Sequence, residues 1–185
     1  MKKEHDMYWA WLDLEMTGLD PKPCVIVEAA LIVTDDKLQV LHEGVQALVK
    51  QPKDAMDAMS PVVRQMHERS GLLQALESAS STLSDVEHTL CNVLDACNSS
   101  GHPFMLCGNS IATDRAFVKA YMPTFEKKLH YRMIDVSTVK VLANAWCSSI
   151  APFVKQETHR ALDDIKESIA ELAYYKAHAF TGGAC

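Results

Sequence analysis

From Tyr8 to Glu15 the chain reads Tyr-Trp-Ala-Trp-Leu-Asp-Leu-Glu, with apolar and β-favouring residues around two acids. That pattern predicts a buried strand carrying both carboxylates at its end. Residues two apart on a strand face the same side, so Asp13 and Glu15 project together from Cα atoms roughly 7 Å apart. The turn from Thr17 to Pro21, with Gly18 and Asp20 inside it, reverses the chain. Cys24 to Thr34 is then rich in Val, Ile and Leu, with Glu28 as its polar interruption, which predicts a strand buried on both faces. Leu38 to Val49 follows the Asp35-Asp36-Lys37 turn as a third strand, and the three make an antiparallel meander.

The period then changes from two to about 3.6. Val62 to Ser70, with Pro61 in the first turn and Gly71 behind it, predicts a short helix. Ser84 to Cys97 predicts a longer one, with Ser84 and Glu87 as a capping box and Val86, Leu90, Val93 and Leu94 as its apolar stripe. Phe104 to Gly108 is a short apolar strand. Phe117, Val118 and Tyr121 mark a helix after Asp114, and His130 to Val136 is another strand. Ser137 opens a helix running to about Trp146, and Ala161 to Phe180 predicts a long last helix with Leu162, Ile165, Ile169, Leu172 and Ala173 on one face. Three strands followed by alternating helices and strands predict an α/β fold, with three antiparallel and two further strands in a mixed five-stranded sheet flanked by helices. No repeat or linker divides the 185 residues, so we expect one domain over 1–185, its core from about 8 to 180 between short flexible termini.

Composition narrows the partners. Charged residues make up 23% of the chain and hydrophobic residues 48%, ordinary globular values. The net charge of −6 and a pI near 5.7 argue against a long nucleic-acid duplex, whose binding draws on Lys and Arg. They leave room for a short anionic substrate held by metal. The six cysteines form no Cys-x-x-Cys pair and have no His at zinc spacing, so they are expected reduced, with Cys24 and Cys107 buried in apolar runs. No apolar run approaches the roughly 20 residues that cross a bilayer, and the first residues lack the apolar region of a secretory signal. A cytoplasmic location is expected, or a mitochondrial one if a presequence has been removed.

The chemistry lies in acids placed where elements begin or end: Asp13, Glu15, Asp114 and Asp164. Asp114 alone reads as well as a helix-cap acid. Asp13 and Glu15 together do not, because two like charges on a half-buried surface persist only with a cation between them. A carboxylate site suits Mg²⁺ or Mn²⁺ rather than zinc, and two such ions clamp the attacking and leaving oxygens of a phosphoryl displacement. A base is then needed near neutral pH. His159, five residues before Asp164, meets that need.

Four stretches also resemble a known family: Asp13-Leu-Glu-Met-Thr-Gly18, Cys107-Gly-Asn-Ser-Ile-Ala-Thr-Asp114, His130-Tyr-Arg-Met-Ile-Asp-Val-Ser-Thr138 and His159-Arg-Ala-Leu-Asp-Asp164. In this order, over Tyr8 to Phe180, they are similar to the oligoribonucleases, DEDDh 3′-to-5′ exonucleases of ribonuclease-H-like fold. The resemblance implies a two-metal exoribonuclease that reduces short single-stranded RNA of roughly two to five nucleotides, dinucleotides especially, to 5′-mononucleotides. It implies Asp13, Glu15, Asp114 and Asp164 as metal-binding acids and His159 as general base, with the His-x-x-x-x-Asp spacing selecting Asp164 over Asp163. It further implies that Leu19 packs on the terminal base, that Ser110, Arg132 and Ser137 hold the far phosphate end, and that His67 and Tyr131 line the cleft. A homodimer with shared active sites is implied as well. The chain departs from the family at Val63, where an aromatic residue often precedes the cleft His. A stacking platform there is worth roughly 1–3 kcal/mol per base. The competing readings are a DNA-directed exonuclease of the same superfamily and a non-catalytic RNA-binding scaffold.

Overall fold

The computed structural model describes residues 8–98, 101–147, 150–154 and 160–180. His159 and both chain ends, expected to be flexible, lie outside the described residues. Five strands, β1 (Trp9–Met16), β2 (Ile26–Thr34), β3 (Val40–Leu48), β4 (Phe104–Gly108) and β5 (Leu129–Asp135), form one sheet in the order β3-β2-β1-β4-β5. The first three are antiparallel, and β4 and β5 run parallel to β1. The helices are α1 (Lys53–Asp57), α2 (Pro61–Arg69), α3 (Leu72–Leu76), α4 (Leu83–Cys97), α5 (Ala112–Tyr121), α6 (Pro123–Glu126), α7 (Val136–Trp146) and α8 (Ala161–Ala179). The mixed sheet flanked by helices is the expected fold; α1, α3 and α6 are short turns of helix that the apolar period does not mark.

The alternation of β1 sends its residues into two cores. Ala10, Leu12 and Leu14 join Leu31, Leu90, Leu94, Phe117 and Phe125 on the side of α4, α5 and α6. Trp11 joins Ala30, Ile32, Ile165 and Leu172 on the side of α8, and the indole of Trp11 donates to Thr34 Oγ1 at 3.0 Å. Each fully buried Leu, Ile or Phe contributes about 1.5–3 kcal/mol, so a sheet covered on both sides is well stabilised at its centre. β2 is buried along its whole length, Glu28 included. Gly44 has φ +109°, and a Cβ there would stand 2.8 Å from Ile32 Cγ1 and 2.9 Å from Leu162 Cδ1, so the glycine lets α8 approach β3.

Two expectations change. The capping box of α4 is made by Thr82 and Asp85, not by Ser84 and Glu87: Asp85 N–H donates to Thr82 Oγ1 at 3.2 Å, and Thr82 N–H donates to the Asp85 carboxylate at 2.8 Å. Ser84 already lies inside the first turn. Glu87 instead accepts from the backbone N–H groups of Thr124 (2.6 Å) and Phe125 (3.0 Å), satisfying the start of α6 from a neighbouring helix. Cys24, Cys91, Cys97 and Cys107 are free thiols as expected, whereas Cys147 is disulfide-bonded.

Candidate active site

The acidic end of β1 gathers the predicted acids. One carboxylate oxygen from each of Asp13, Glu15 and Asp164 can be chosen so that all three lie within 4.8 Å of one another. β1 supplies two of them by its period of two. Asp164 comes from the first turn of α8, which packs on the same face. Asp163, its neighbour, is exposed and pairs with Lys166 at 3.4 Å.

Asp114 arrives from α5. β4 pairs with β1 only as far as Trp11, so the N–H of Leu14 is left without a strand partner on that side. It donates to Asp114 Oδ1 at 3.0 Å, which fixes the buried Asp114 against the strand that carries the other acids.

The electrostatics show the strain of this packing. Burial first, and then Asp114, Glu15 and Asp164, push the Asp13 carboxyl well above the usual range. Burial, with Asp164 and Glu28 next, raises Glu15 to about 8, and the Arg160 guanidinium opposes that rise. Burial raises Asp114 to about 7 against the bonds from the Leu14 N–H and its own backbone N–H. An all-oxygen, part-buried set of carboxylates that repel one another fits a hard divalent cation.

The remaining predicted residues that are described fall into four places. His67 is fully buried: its Nε2 is 2.9 Å from the Met16 carbonyl and its Nδ1 is 3.6 Å from Glu15 Oε2, so it backs Glu15 rather than offering a face to solvent. Val63 lies half-buried in the first turn of α2, where its N–H donates to Ser60 Oγ. Leu19 is 79% exposed at the tip of the β1–β2 turn. The base of that turn is tied by Thr17 to Val25 and by the Tyr121 hydroxyl, within hydrogen-bonding reach of the Pro21 and Cys24 carbonyls.

Ser110 and Ser137 meet. The Ser110 N–H donates to Ser137 Oγ (3.1 Å) and Asp135 Oδ1 (3.0 Å), with Ser110 held at φ +51°. The Ser137 hydroxyl donates to Asn109 Oδ1 at 2.9 Å, and Asn109 reaches Ser168 and Glu171 of α8. Tyr131 and Arg132 stand apart on β5, at the sheet edge. Tyr131 is 72% exposed, with the Arg132 guanidinium carbon 5.1 Å from its ring centroid.

Sequence reasoning missed Asp135, which caps α7 through the Ser137 N–H at 2.9 Å, and Asn109, although both lie inside the motifs quoted above. It also gave no role to Glu28, whose signal was its place as the polar residue of an apolar strand.

A part-buried carboxylate cluster at the end of a central strand of this sheet is the kind of site a metal-dependent nuclease uses. The exonuclease family model RNase_T matches residues 10–172. Oligoribonuclease from Corynebacterium efficiens is 45% identical over 174 residues, covering 92% of this chain and 78% of that protein. A human protein named mitochondrial oligoribonuclease is 42% identical over 172 residues, covering 92% and 72%. Among solved structures, exonuclease I from Methylocaldum szegediense superposes with a TM-score of 0.72 at 17% identity, and E. coli exonuclease I in complex with single-stranded DNA with 0.71 at 13%. This chain covers 95% and 96% of itself in those matches but only 41% and 42% of those longer chains, and the likeness is one of fold. The chain belongs to the oligoribonuclease family of RNase_T exonucleases.

Proposed function

We propose that this chain is a 3′-to-5′ exoribonuclease that hydrolyses short oligoribonucleotides, dinucleotides especially, to 5′-mononucleotides. The observation that carries the reading is the convergence of Asp13, Glu15 and Asp164, with Asp114 bonded to the backbone between the first two. These four acids would hold two divalent cations, Mg²⁺ or Mn²⁺. When bound, such ions stabilise charge on the attacking and leaving oxygens of a phosphodiester. His159 is the base that takes the proton of the attacking water, which imidazole does well near neutral pH. Leu19, on its exposed turn, packs against the terminal base. Ser110 and Ser137 supply hydroxyl donors, and Arg132 a forked cation, to the far phosphate. Tyr131 offers an exposed stacking face, and His67 supports the cleft from behind Glu15.

The working unit is a homodimer with shared active sites, in which β5 of one subunit serves the cleft of the other. The reading treats residues 1–185 as a single exonuclease domain acting in the cytoplasm, or in the mitochondrion if a presequence is removed. Among the described residues no helix is long and apolar enough to cross a membrane.

The test is single-turnover hydrolysis of ribo- and deoxyribo-dinucleotides with Mg²⁺ and with chelator. Faster cleavage of the ribo-dinucleotide, abolished by chelator and by Asp13→Asn in a folded protein, is expected. A preference for the deoxy substrate would move the activity to DNA, since 2′-hydroxyl contacts are what separate the two. Equal, negligible rates with and without metal would leave a scaffold.

A further inference from the structure

A fifth acid shares the face of the sheet that carries the site. Glu28 stands directly opposite Glu15 in the β1–β2 ladder and has no solvent exposure. It is not part of the metal-type cluster. Its carboxylate is already filled by protein donors. Oε1 accepts from Arg160 Nη2 at 2.9 Å and Gln46 Nε2 at 2.8 Å. Oε2 accepts from the Ala161 N–H at 3.2 Å and lies 3.4 Å from Arg160 Nε. A buried carboxylate with these partners is saturated, and the guanidinium offsets its charge in the one arrangement, forked and close, that compensates for desolvation.

The partners say what it is for. Arg160 is the N-cap residue of α8 and makes no side-chain bond to its own helix. The first free N–H of that helix, on Ala161, is capped instead by Glu28 from a strand 133 residues away in sequence. Asp164 lies three residues beyond Ala161, on the same side of the helix and one turn in. Holding Ala161 and Arg160 to β2 therefore sets where Asp164 stands relative to Glu15, on the strand beside β2. Apolar packing of Ala161, Leu162, Ile165 and Leu172 presses α8 onto the sheet, and that contact is non-directional, so the bonds to Glu28 are what fix the register of its first turn.

We propose that Glu28 and Arg160 form a buried clamp that positions Asp164 against Asp13 and Glu15 and so sets the affinity of the site for divalent cations. Both are positioning residues and neither touches substrate. The clamp rests on the exoribonuclease reading above, and it places the control of metal affinity in β2, outside the acid set itself.

The test uses the full chain, titrated calorimetrically with Mn²⁺ alone, and turnover of a ribo-dinucleotide across a range of Mg²⁺. Glu28→Gln keeps the size of the side chain and loses its charge. Mn²⁺ affinity is expected to fall roughly 10- to 100-fold, the usual effect of removing a residue that orients metal ligands. Turnover at saturating Mg²⁺ should return to within a few-fold of wild type, with KM for the dinucleotide unchanged. A general loss of stability would not produce that split. Arg160→Lys, which keeps the charge without the fork, should fall between wild type and Glu28→Gln, and it decides the matter if Glu28→Gln does not fold. Unaltered Mn²⁺ affinity and Mg²⁺ dependence in the folded variants, beside an active wild type, overturns the clamp alone. A wild type that neither binds Mn²⁺ nor cleaves the dinucleotide overturns the exoribonuclease reading and the clamp with it.

Discussion

The two faces of β1 put the same eight residues to opposite uses. On one, Ala10, Leu12 and Leu14 disappear into an apolar core with α4 and α5. On the other, the strand begins with Trp9 and Trp11 on the α8 side and ends with Asp13 and Glu15, whose carboxyls burial and mutual repulsion push well above their ordinary range. The first face gains stability from every residue. The second forgoes some at its end, where apolar residues would pack at lower cost than repelling acids. Such a local conflict between sequence and stability is expected at a functional site and is rare elsewhere.

The contrast predicts mutations whose effects separate cleanly. The largest concerns function on the acidic side. His159→Ala leaves the proposed metal-holding carboxylates in place and removes the proposed base, so turnover should fall roughly 10²- to 10⁴-fold with Mn²⁺ binding retained. The acidic limb of the pH–rate profile should flatten, because protonation of that imidazole no longer limits the rate. A profile unchanged in shape would assign the proton transfer to another group.

Leu12→Ala acts on the other face. It opens a cavity in the α4 and α5 core, and an unfolding free energy lower by about 2–5 kcal/mol is expected in urea titrations. Turnover per folded molecule should hardly change. A large loss of turnover at a temperature where the variant is fully folded would show that the two faces are not separable.

How much of this was legible in the sequence follows the same division. Period-two and period-3.6 patterns carry direct information about which face is buried, so five strands and the longer helices could be read from residue order. The short helices α1, α3 and α6 have too few residues to show a period, and α6 is capped by Glu87 from another helix, a partner that local sequence does not reveal. The acids could be read because Asp13 and Glu15 conflict with their apolar strand. Glu28 conflicts with its strand just as plainly, yet its meaning depends on Arg160, 132 residues away, and pairing across that distance exists only in the fold. His67 is expected to line the cleft, and its full burial beside Glu15 could not be read in advance, since sequence spacing does not say what a helix residue packs against.

The third prediction joins the two faces through pH. Glu15 in the folded chain titrates near 8 against an ordinary value of 4.5, and Asp114 near 7 against 3.8, both through burial. Raised acids bind protons more tightly when folded, so their stabilisation is complete below the unfolded values of 3.8 and 4.5, is lost progressively as pH rises from there, and is gone once pH has passed the folded values of about 7 and 8. In chelator the melting temperature should therefore drop across that window. Asp13→Asn removes one repelling charge, so at pH 8 without metal the variant should be more stable than wild type by about 1–3 kcal/mol. Excess Mg²⁺ should reverse the order, since only the wild type gains the full binding energy. A metal-free wild type whose stability rises across the window would contradict the electrostatics of the cluster.

The smallest effect tests where the site ends. Asp13, Glu15, Asp114 and Asp164 are buried or half-buried within one chain, while Tyr131 and Arg132 are exposed on β5, the outermost strand of the sheet. Groups meant to grip a substrate of one's own cleft would be expected nearer the acids. An exposed aromatic with a guanidinium on its face suits a surface presented to a second subunit instead. If each cleft is closed by the partner's Tyr131 and Arg132, mixing His159→Ala protein with Arg132→Ala protein and allowing subunits to exchange should create new sites. Half of the dimers become mixed. Each mixed dimer holds one site with both lesions and one with neither, so about a quarter of all sites are restored. Turnover of a ribo-dinucleotide should rise to about that fraction of wild type, above either parent, while His159→Ala mixed with Asp13→Asn should show no such rise, because those lesions leave every cleft damaged. No recovery after exchange verified by native mass spectrometry, or a monomer by light scattering at working concentration, would return Tyr131 and Arg132 to their own subunit.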